Sequence, residues 1–223
     1  MKQKSSFQPL MSEDSGFLPE EPMGESLLSC EGPALRVWRP KSTVIVLGRS
    51  QKAEKEIDLD HAQADEIPIF KRHGGGGCVV LDEHSVCIGI KYPRSEISLN
   101  ITAFLKHSSE GIQLFLKETY GLDVEIKENY DLLLNNKKFL GCSLYMPKGL
   151  CLYLAVILLD RGALDKINRY LLMPSKVPEH RKGRSHDEFL TPLRDHIECT
   201  HESFMKDLEE FMKETDWKAG PYS

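Results

Sequence analysis

Three stretches of the chain carry side chains that could do chemistry. The first is "KRHGGGGCVV" (71–80), where Lys71, Arg72 and His73 run into Gly74, Gly75, Gly76 and Gly77. Two readings fit it. A glycine cluster can be a turn or a bulged hairpin corner. It can equally let backbone lie against a ligand and turn successive N–H groups into an anion nest, with Arg72 offering a planar donor fork to a phosphate or carboxylate. No Gly-Lys-Ser/Thr follows, and the run opens a strand instead of a helix. That excludes a P-loop and a dinucleotide fingerprint.

The second stretch is "YDLLLNNKKFLGCSLYM" (130–146). Side chains alternate across a strand, so one of Lys137 and Lys138 must face the more covered side. Alternation puts Lys138 with Leu140 and Cys142, and Lys137 with Phe139. A covered lysine is costly unless it meets an anion, which makes it a site candidate; two solvated turn lysines are the alternative. The third stretch, "PSKVPEHRKGRSHDEF" (174–189), gathers Lys176, Arg181, Lys182, Arg184, His180 and His186 in a non-periodic, Pro-containing segment. It reads as a solvated loop, or as a basic flap over an anionic intermediate or an acidic partner.

The elements that must position these groups follow from periodicity. "ALRVWRP" and "STVIVLG" read as strands, 56–66 as a short helix with Ile57, Leu59 and Ala62 inward, and "IPIFKRH" as a strand entering the glycines. "CVVLDEHSVCIGIKYP" reads as two strands joined at Asp82–His84. Residues 98–120 repeat apolar side chains at helical spacing and stop at Gly121. Strands are expected at 123–127, 131–134, 138–145 and 151–159, with a turn at Asn135-Asn136, and helices at about 162–171 and 200–214. The fold class is α+β, or mixed α/β, with mixed β-sheets flanked by helices. Residues 1–24 read as an irregular arm, with a short helix near 25–29, and 25–223 as a single domain without an accessory C-terminal domain.

Composition limits the functions available. The 223 residues carry a formal net charge of -5, so an anionic ligand must meet a local basic patch and nucleic acid is not an expected partner. No signal-peptide h-region opens the chain and the longest apolar run, 150–159, is too short to span a bilayer; a cytoplasmic monomer is the expectation. Six cysteines without C-x-x-C spacing argue against structural zinc.

Taken together, "VIVLGRSQ" (44–51), "FKRHGGGGCVVLD" (70–82) and "DLLLNNKKFLGCS" (131–143) resemble, in order and spacing, the lipoate–protein ligase A family, a relative of the biotin ligases and octanoyltransferases. The resemblance covers about residues 25–200. It implies a biotin/lipoate-ligase-like fold and attachment of lipoate or octanoate to a lysine of an acceptor lipoyl domain, with ATP and magnesium forming an acyl-adenylate. It assigns catalysis to Lys138. Binding of the acyl-adenylate falls to Arg49, Arg72, His73, Gly74–Gly77, Asp82, Asp131, Gly141 and Ser143, with Arg72 on the phosphate and Asp131 beside Lys138 or a magnesium ion. Lys176, Arg181, Arg184 and His186 become the flap or acceptor-docking surface, and a separate accessory subunit is a possible partner.

Leu81-Asp82 stands where the family has His-Asp, and Leu154-Ala155 where it has His-Gly. In the related octanoyltransferases a nucleophilic cysteine precedes that His-Gly, which brings forward Cys151, paired with Lys138, as an ATP-independent thioester route. A buried, inert Cys151 is the competing reading. The missing histidines also leave open a non-catalytic acyl- or lipoyl-domain-binding relative.

Overall fold

The computed structural model describes residues 7–9, 27–28, 31–96 and 101–214. In chain order the elements are β1 (Phe7–Pro9), β2 (Ala34–Trp38), β3 (Val44–Leu47), α1 (Ala53–Glu56), α2 (Leu59–Ala64), β4 (Ile69–Arg72), β5 (Val79–Leu81) and β6 (Ser85–Pro93). There follow α3 (Ile101–Tyr120), β7 (Glu125–Ile126), β8 (Leu132–Leu134), β9 (Lys137–Tyr145), β10 (Leu150–Leu158), α4 (Arg161–Tyr170), α5 (His186–Phe189) and α6 (His201–Glu214).

The strands form two sheets. One runs β1-β4-β3-β5 and the other β2-β6-β10-β9-β8-β7. Within the first, β3 and β4 are parallel while β3 and β5 are antiparallel, so this sheet is mixed. A parallel pair needs a crossover, and α1 and α2 supply it.

Side-chain alternation sorts the core into layers. On β3, Val44 and Val46 meet Trp38, Phe70, Leu152 and Leu154 between the sheets, whereas Ile45 and Leu47 face Leu164, Ile167 and Tyr170 of α4. On β10, Tyr153, Ala155 and Ile157 face the opposite way, onto Phe104, Ile112, Phe115 and Phe204 of α3 and α6. Both sheets are thus covered on both faces. That is why β3 and most of β6 read as unbroken apolar runs without strand-like alternation.

Most expected elements appear within a residue or two, and Asn135 and Asn136 both adopt left-handed φ, as a two-residue hairpin turn requires. Gly121, at φ +69°, ends α3 as expected, with Leu122 N–H donating to the Leu116 carbonyl. Three expectations change. The 56–66 helix is two short helices, because the Asp58 side chain caps a new one by accepting from His61 N–H. That restart leaves Ile57 and Ala62 buried but turns Leu59 outward, 40% exposed. Within the N-terminal arm, Phe7–Pro9 is a strand on β4; the rest of 1–24 lies outside the described residues, and of the 25–29 helix only 27–28 are described, as helical.

The third change concerns Lys138. Leu132 opposes Leu140, but Leu133 opposes Lys138, so β9 holds one extra residue there, a β-bulge at Phe139. Phe139 and Leu140, though adjacent, both enter the core on the helix side. The face of Lys138 is reversed relative to plain alternation. It lies with Gly141, whose missing Cβ would stand 2.8 Å from Lys138 Nζ, and not with Leu140 and Cys142.

Candidate active site

A cavity of about 640 Å³ opens beside the inter-sheet core, between the glycine run, the bulged part of β9 and the segment 171–190. Gly75, Gly76 and Gly77 form part of its wall, Lys138, Gly141 and Ser143 another, and apolar side chains such as Val156, Leu158 and Ile167 a third. It therefore offers an apolar pocket, a polar end and two lysines, Lys138 in the wall and Lys176 at the rim.

The glycine run is shaped by Arg72. This guanidinium is 4% exposed, and it donates to the carbonyls of Gly75 (3.0 and 2.8 Å), Gly77 (2.7 Å) and Val46 (3.3 Å). Burial holds its pKa down to about 10, so it remains a cation at neutral pH. Each charge-assisted bond of this kind contributes roughly 1.5–3 kcal/mol. Arg72 is thus the internal brace of the loop. Its donor fork faces carbonyls, which corrects its expected contact with a phosphate.

Two glycines are fixed by close approach. A Cβ on Gly48 would sit 2.0 Å from the Gly76 carbonyl oxygen, and Gly76 itself has φ +96° with Arg72 at 2.7 Å from its Cβ position. Arg49 N–H closes the same contact by donating to the Gly74 carbonyl at 3.0 Å. By contrast, Gly75 and Gly77 have open space where a Cβ would stand. Their N–H groups, and that of Gly76, meet no hydrogen-bond partner among the described residues. The loop is thus both a close-packed corner and a row of free donors, the composition of an anion nest.

Lys138 reaches Asp131 with Nζ 2.7 Å from Oδ1, and His180 Nε2 lies 3.2 Å from Oδ2 of the same carboxylate. Asp131 is 4% exposed and follows two consecutive residues, Asn129 and Tyr130, at φ +58° and +61°. A bulky tyrosine is an outlier there, and such backbone is retained where surrounding contacts impose it. Both carboxylate oxygens are engaged, and no group of three His, Cys, Asp or Glu among the described residues could hold a metal ion. Asp131 orients the lysine in this structure. A magnesium ion would have to arrive with the phosphates and waters of a nucleotide, which is its usual mode.

Several expected site residues lie elsewhere. Asp82 is fully buried in the β5–β6 turn, where it accepts from Ser85 Oγ (2.8 Å) and His84 N–H (3.1 Å) beside Lys166. It fastens that turn and does not line the cavity. His73 is exposed and stacks on Tyr145, and the Arg49 side chain points to solvent. The expected basic flap is built inward. Arg181 is buried, lies 5.0 Å over the Phe189 ring, and donates to the Arg184 carbonyl, Met173 sulfur and His186 Nδ1. Arg184 donates to the carbonyls of Asn136, His180 and Arg181. Burial, then the Arg181 charge, lowers the His186 pKa, which suits a neutral ring accepting from Arg181. Lys176 remains exposed at the cavity rim.

Cys151 is separated from this site in two ways. It belongs to the helix-side core with Tyr153 and Ala155, whereas the cavity lies on the other face of β10. The register of β9 and β10 also sets it about eight residues along from Lys138, roughly 25 Å at strand spacing. A Lys138/Cys151 pair is therefore excluded by geometry. The cysteines that do line the cavity are Cys78 and Cys142. Burial pushes their pKa values up to about 12 and about 11.

Glu56 goes unmarked in the sequence, and His180 stands there only as one member of the basic segment 174–189. Glu56 is 2% exposed, lines the cavity, and accepts from the N–H and hydroxyl of Ser175. It ties the crossover between β3 and β4 to the cavity-covering segment 171–178, helped by Leu172 N–H donating to the Glu56 carbonyl at 3.0 Å. Nothing in the local pattern of "AEKEID" marks that carboxylate as buried, because its partner lies 119 residues away.

Two tests follow from this geometry. Gly48→Ala is expected to lose about 1–3 kcal/mol or more of stability in urea unfolding, while Gly75→Ala stays within about 0.5 kcal/mol; equal losses would show that the close approach is not what fixes the corner. At pH 8, Cys78 and Cys142 are expected to react with iodoacetamide on the order of 100-fold more slowly than a free cysteine, because burial keeps them as thiols. Rapid carboxymethylation of Cys142 in the folded protein would contradict that.

Comparison with known proteins agrees with this architecture. The lipoyl protein ligase A/B catalytic domain matches residues 23–213. A probable lipoate-protein ligase A of Mycoplasma pneumoniae is 23% identical over 180 residues, which is 80% of this chain and 52% of its own length. The octanoyltransferase LipM of Clostridioides difficile is 28% identical over 168 residues, 66% of this chain and 60% of its own. A solved lipoate-protein ligase A bound with ATP superposes with a TM-score of 0.66 at 25% identity, over 82% of this chain and 72% of that one. The chain thus spans about half the length of the Mycoplasma relative. Matched over most of its residues, with the expected mixed α+β fold, this chain belongs to the lipoyl protein ligase A/B catalytic-domain family.

Proposed function

We propose that this chain activates lipoate, or octanoate, as an acyl-adenylate at the expense of ATP and passes the acyl group to a lysine of an acceptor lipoyl domain. The observation that carries the reading is the pairing of an apolar cavity with one oriented lysine and a row of free glycine N–H groups. The apolar walls suit a medium-length acyl chain. The N–H groups of Gly75–Gly77 suit the negative oxygens of its carboxylate and of a phosphate joined to it. Lys138, aimed by Asp131, stands where charge develops as the acceptor amine attacks the carbonyl. The relatives' names and the ATP-bound neighbour support the same direction.

A thioester route is the rival reading, and the octanoyltransferase relative favours weighing it. The thiols of this chain argue against it. Cys151 is remote, and Cys78 and Cys142 sit where burial disfavours the thiolate nucleophile. Lys176 and Lys182 remain as exposed cations for an acidic acceptor, since Arg181 and Arg184 bond inward.

The test is to incubate the chain with an acceptor lipoyl domain and either lipoate with Mg-ATP or an octanoyl-carrier protein, then weigh the acceptor. A mass gain that requires ATP is expected, and it should survive Cys151→Ser. Lys138→Ala should lower the rate about 100- to 1,000-fold. Lys137→Ala should be nearly silent, because its Nζ is exposed and donates to the Asp187 carbonyl. A gain from the carrier protein alone would transfer the chain to the thioester class, and no gain from either donor would sink both readings.

A further inference from the structure

Asp131 is held from two sides by groups that are far apart in the chain. Lys138 is a near neighbour in sequence, but His180 comes from the turn Glu179–Arg181, 49 residues after Asp131. The His180 side chain is 9% exposed, and its ring lies against Phe189 with centroids 5.5 Å apart. Its Nδ1 is buried with no hydrogen-bond partner among the described residues. A buried, unpaired polar atom costs on the order of 1–3 kcal/mol. An apolar ring in the same place would pack on Phe189 without that cost. Packing alone therefore does not account for a histidine here, whereas the Nε2 contact with Asp131 does.

The same segment also holds the lysine's backbone. Thr191 N–H donates to the Lys138 carbonyl at 3.0 Å, and Leu190 bridges to Lys138 in parallel. Residues 179–191 thus control Lys138 at both ends, the main chain through Thr191 and the ammonium through His180 and Asp131. With Nδ1 unpaired, the tautomer that fits is the neutral one with its proton on Nε2, donating to Asp131 Oδ2. The carboxylate then accepts once from each side and cannot rotate without breaking one contact.

We propose that His180 is a positioning residue for Lys138. By pinning Asp131 Oδ2 it leaves Oδ1 to direct the ammonium into the cavity. This rests on the role proposed for Lys138, and it gives His180 a part in the catalytic apparatus through Asp131, while Arg181, His186 and Phe189 of the same segment wall the cavity.

Competitive labelling of the full chain with acetic anhydride, read by mass spectrometry at Lys138, tests the geometry without needing activity. His180→Phe is expected to raise Lys138 labelling about threefold or more, because an amine whose carboxylate partner is no longer pinned spends more time unpaired and open to the reagent. His180→Gln, which can still donate to Asp131, should restore the wild-type rate. His180→Asn, too short to reach, should behave like His180→Phe and serves where that variant fails to fold. In the lipoylation assay, His180→Phe should lower kcat about 10- to 100-fold, the effect of a small misplacement, with the Kd for lipoate unchanged.

Unaltered Lys138 labelling in both His180→Phe and His180→Asn overturns the proposal, whatever happens to thermal stability. If the wild-type chain makes no product from any donor, the proposed function fails, and the labelling result still decides the role of His180.

Discussion

The buried guanidinium of Arg72 is the interaction on which the rest of the site depends. Among the described residues it has no carboxylate partner; it is compensated by the carbonyls of Val46, Gly75 and Gly77. That arrangement turns the Gly75 and Gly77 carbonyls inward, while the N–H groups of Gly75–Gly77 meet no partner among the described residues. The loop has the composition of an anion nest with a cation behind it. A lysine could not replace it, since a single ammonium lacks the planar fork that reaches carbonyls on a neighbouring strand and on the loop.

The second constraint is the extra residue at Phe139. A regular β9 would place Lys138 against the helices α3 and α6, in apolar surroundings where an ammonium would be costly. The bulge lets Phe139 and Leu140 fill that core together and delivers Lys138 to the cavity beside Gly141. Gly141 is small for a packing reason, as the lysine side chain occupies the space a Cβ would take.

Much of this was legible in the sequence. The strand and helix order, the Asn135-Asn136 turn and the end of α3 at Gly121 follow from local chemistry that tertiary contacts did not override. Lys138, Asp131, Gly141 and Ser143 line one cavity with Gly75–Gly77. The misses have two causes. The burial of Glu56 and the isolation of Cys151 depend on partners distant in the chain, whereas the face of Lys138 and the inward turn of Arg181 and Arg184 depend on local backbone geometry that residue type does not encode. A two-residue period cannot register a bulge, and a cluster of basic residues looks the same whether it bonds carbonyls or meets solvent. Asp82 matched the motif's position, yet its neighbours Ser85 and His84 use it to close a turn.

The crossover tie at Glu56 has a kinetic consequence. The cavity is walled by residues near 50, 76, 130–144 and 171–190, joined by contacts such as Glu56–Ser175 and Asp131–His180. The Glu56–Ser175 closure spans 119 residues, longer than the separation of any strand partners in the β6–β10 ladder, and a longer closure costs more entropy before its contacts stabilise anything. The two sheets can therefore form their ladders before this latch is made. A chain carrying well-formed sheets but an unlatched 171–178 segment would be structured by spectroscopy and empty of function, with the latch, and not the sheets, setting when the protein becomes competent.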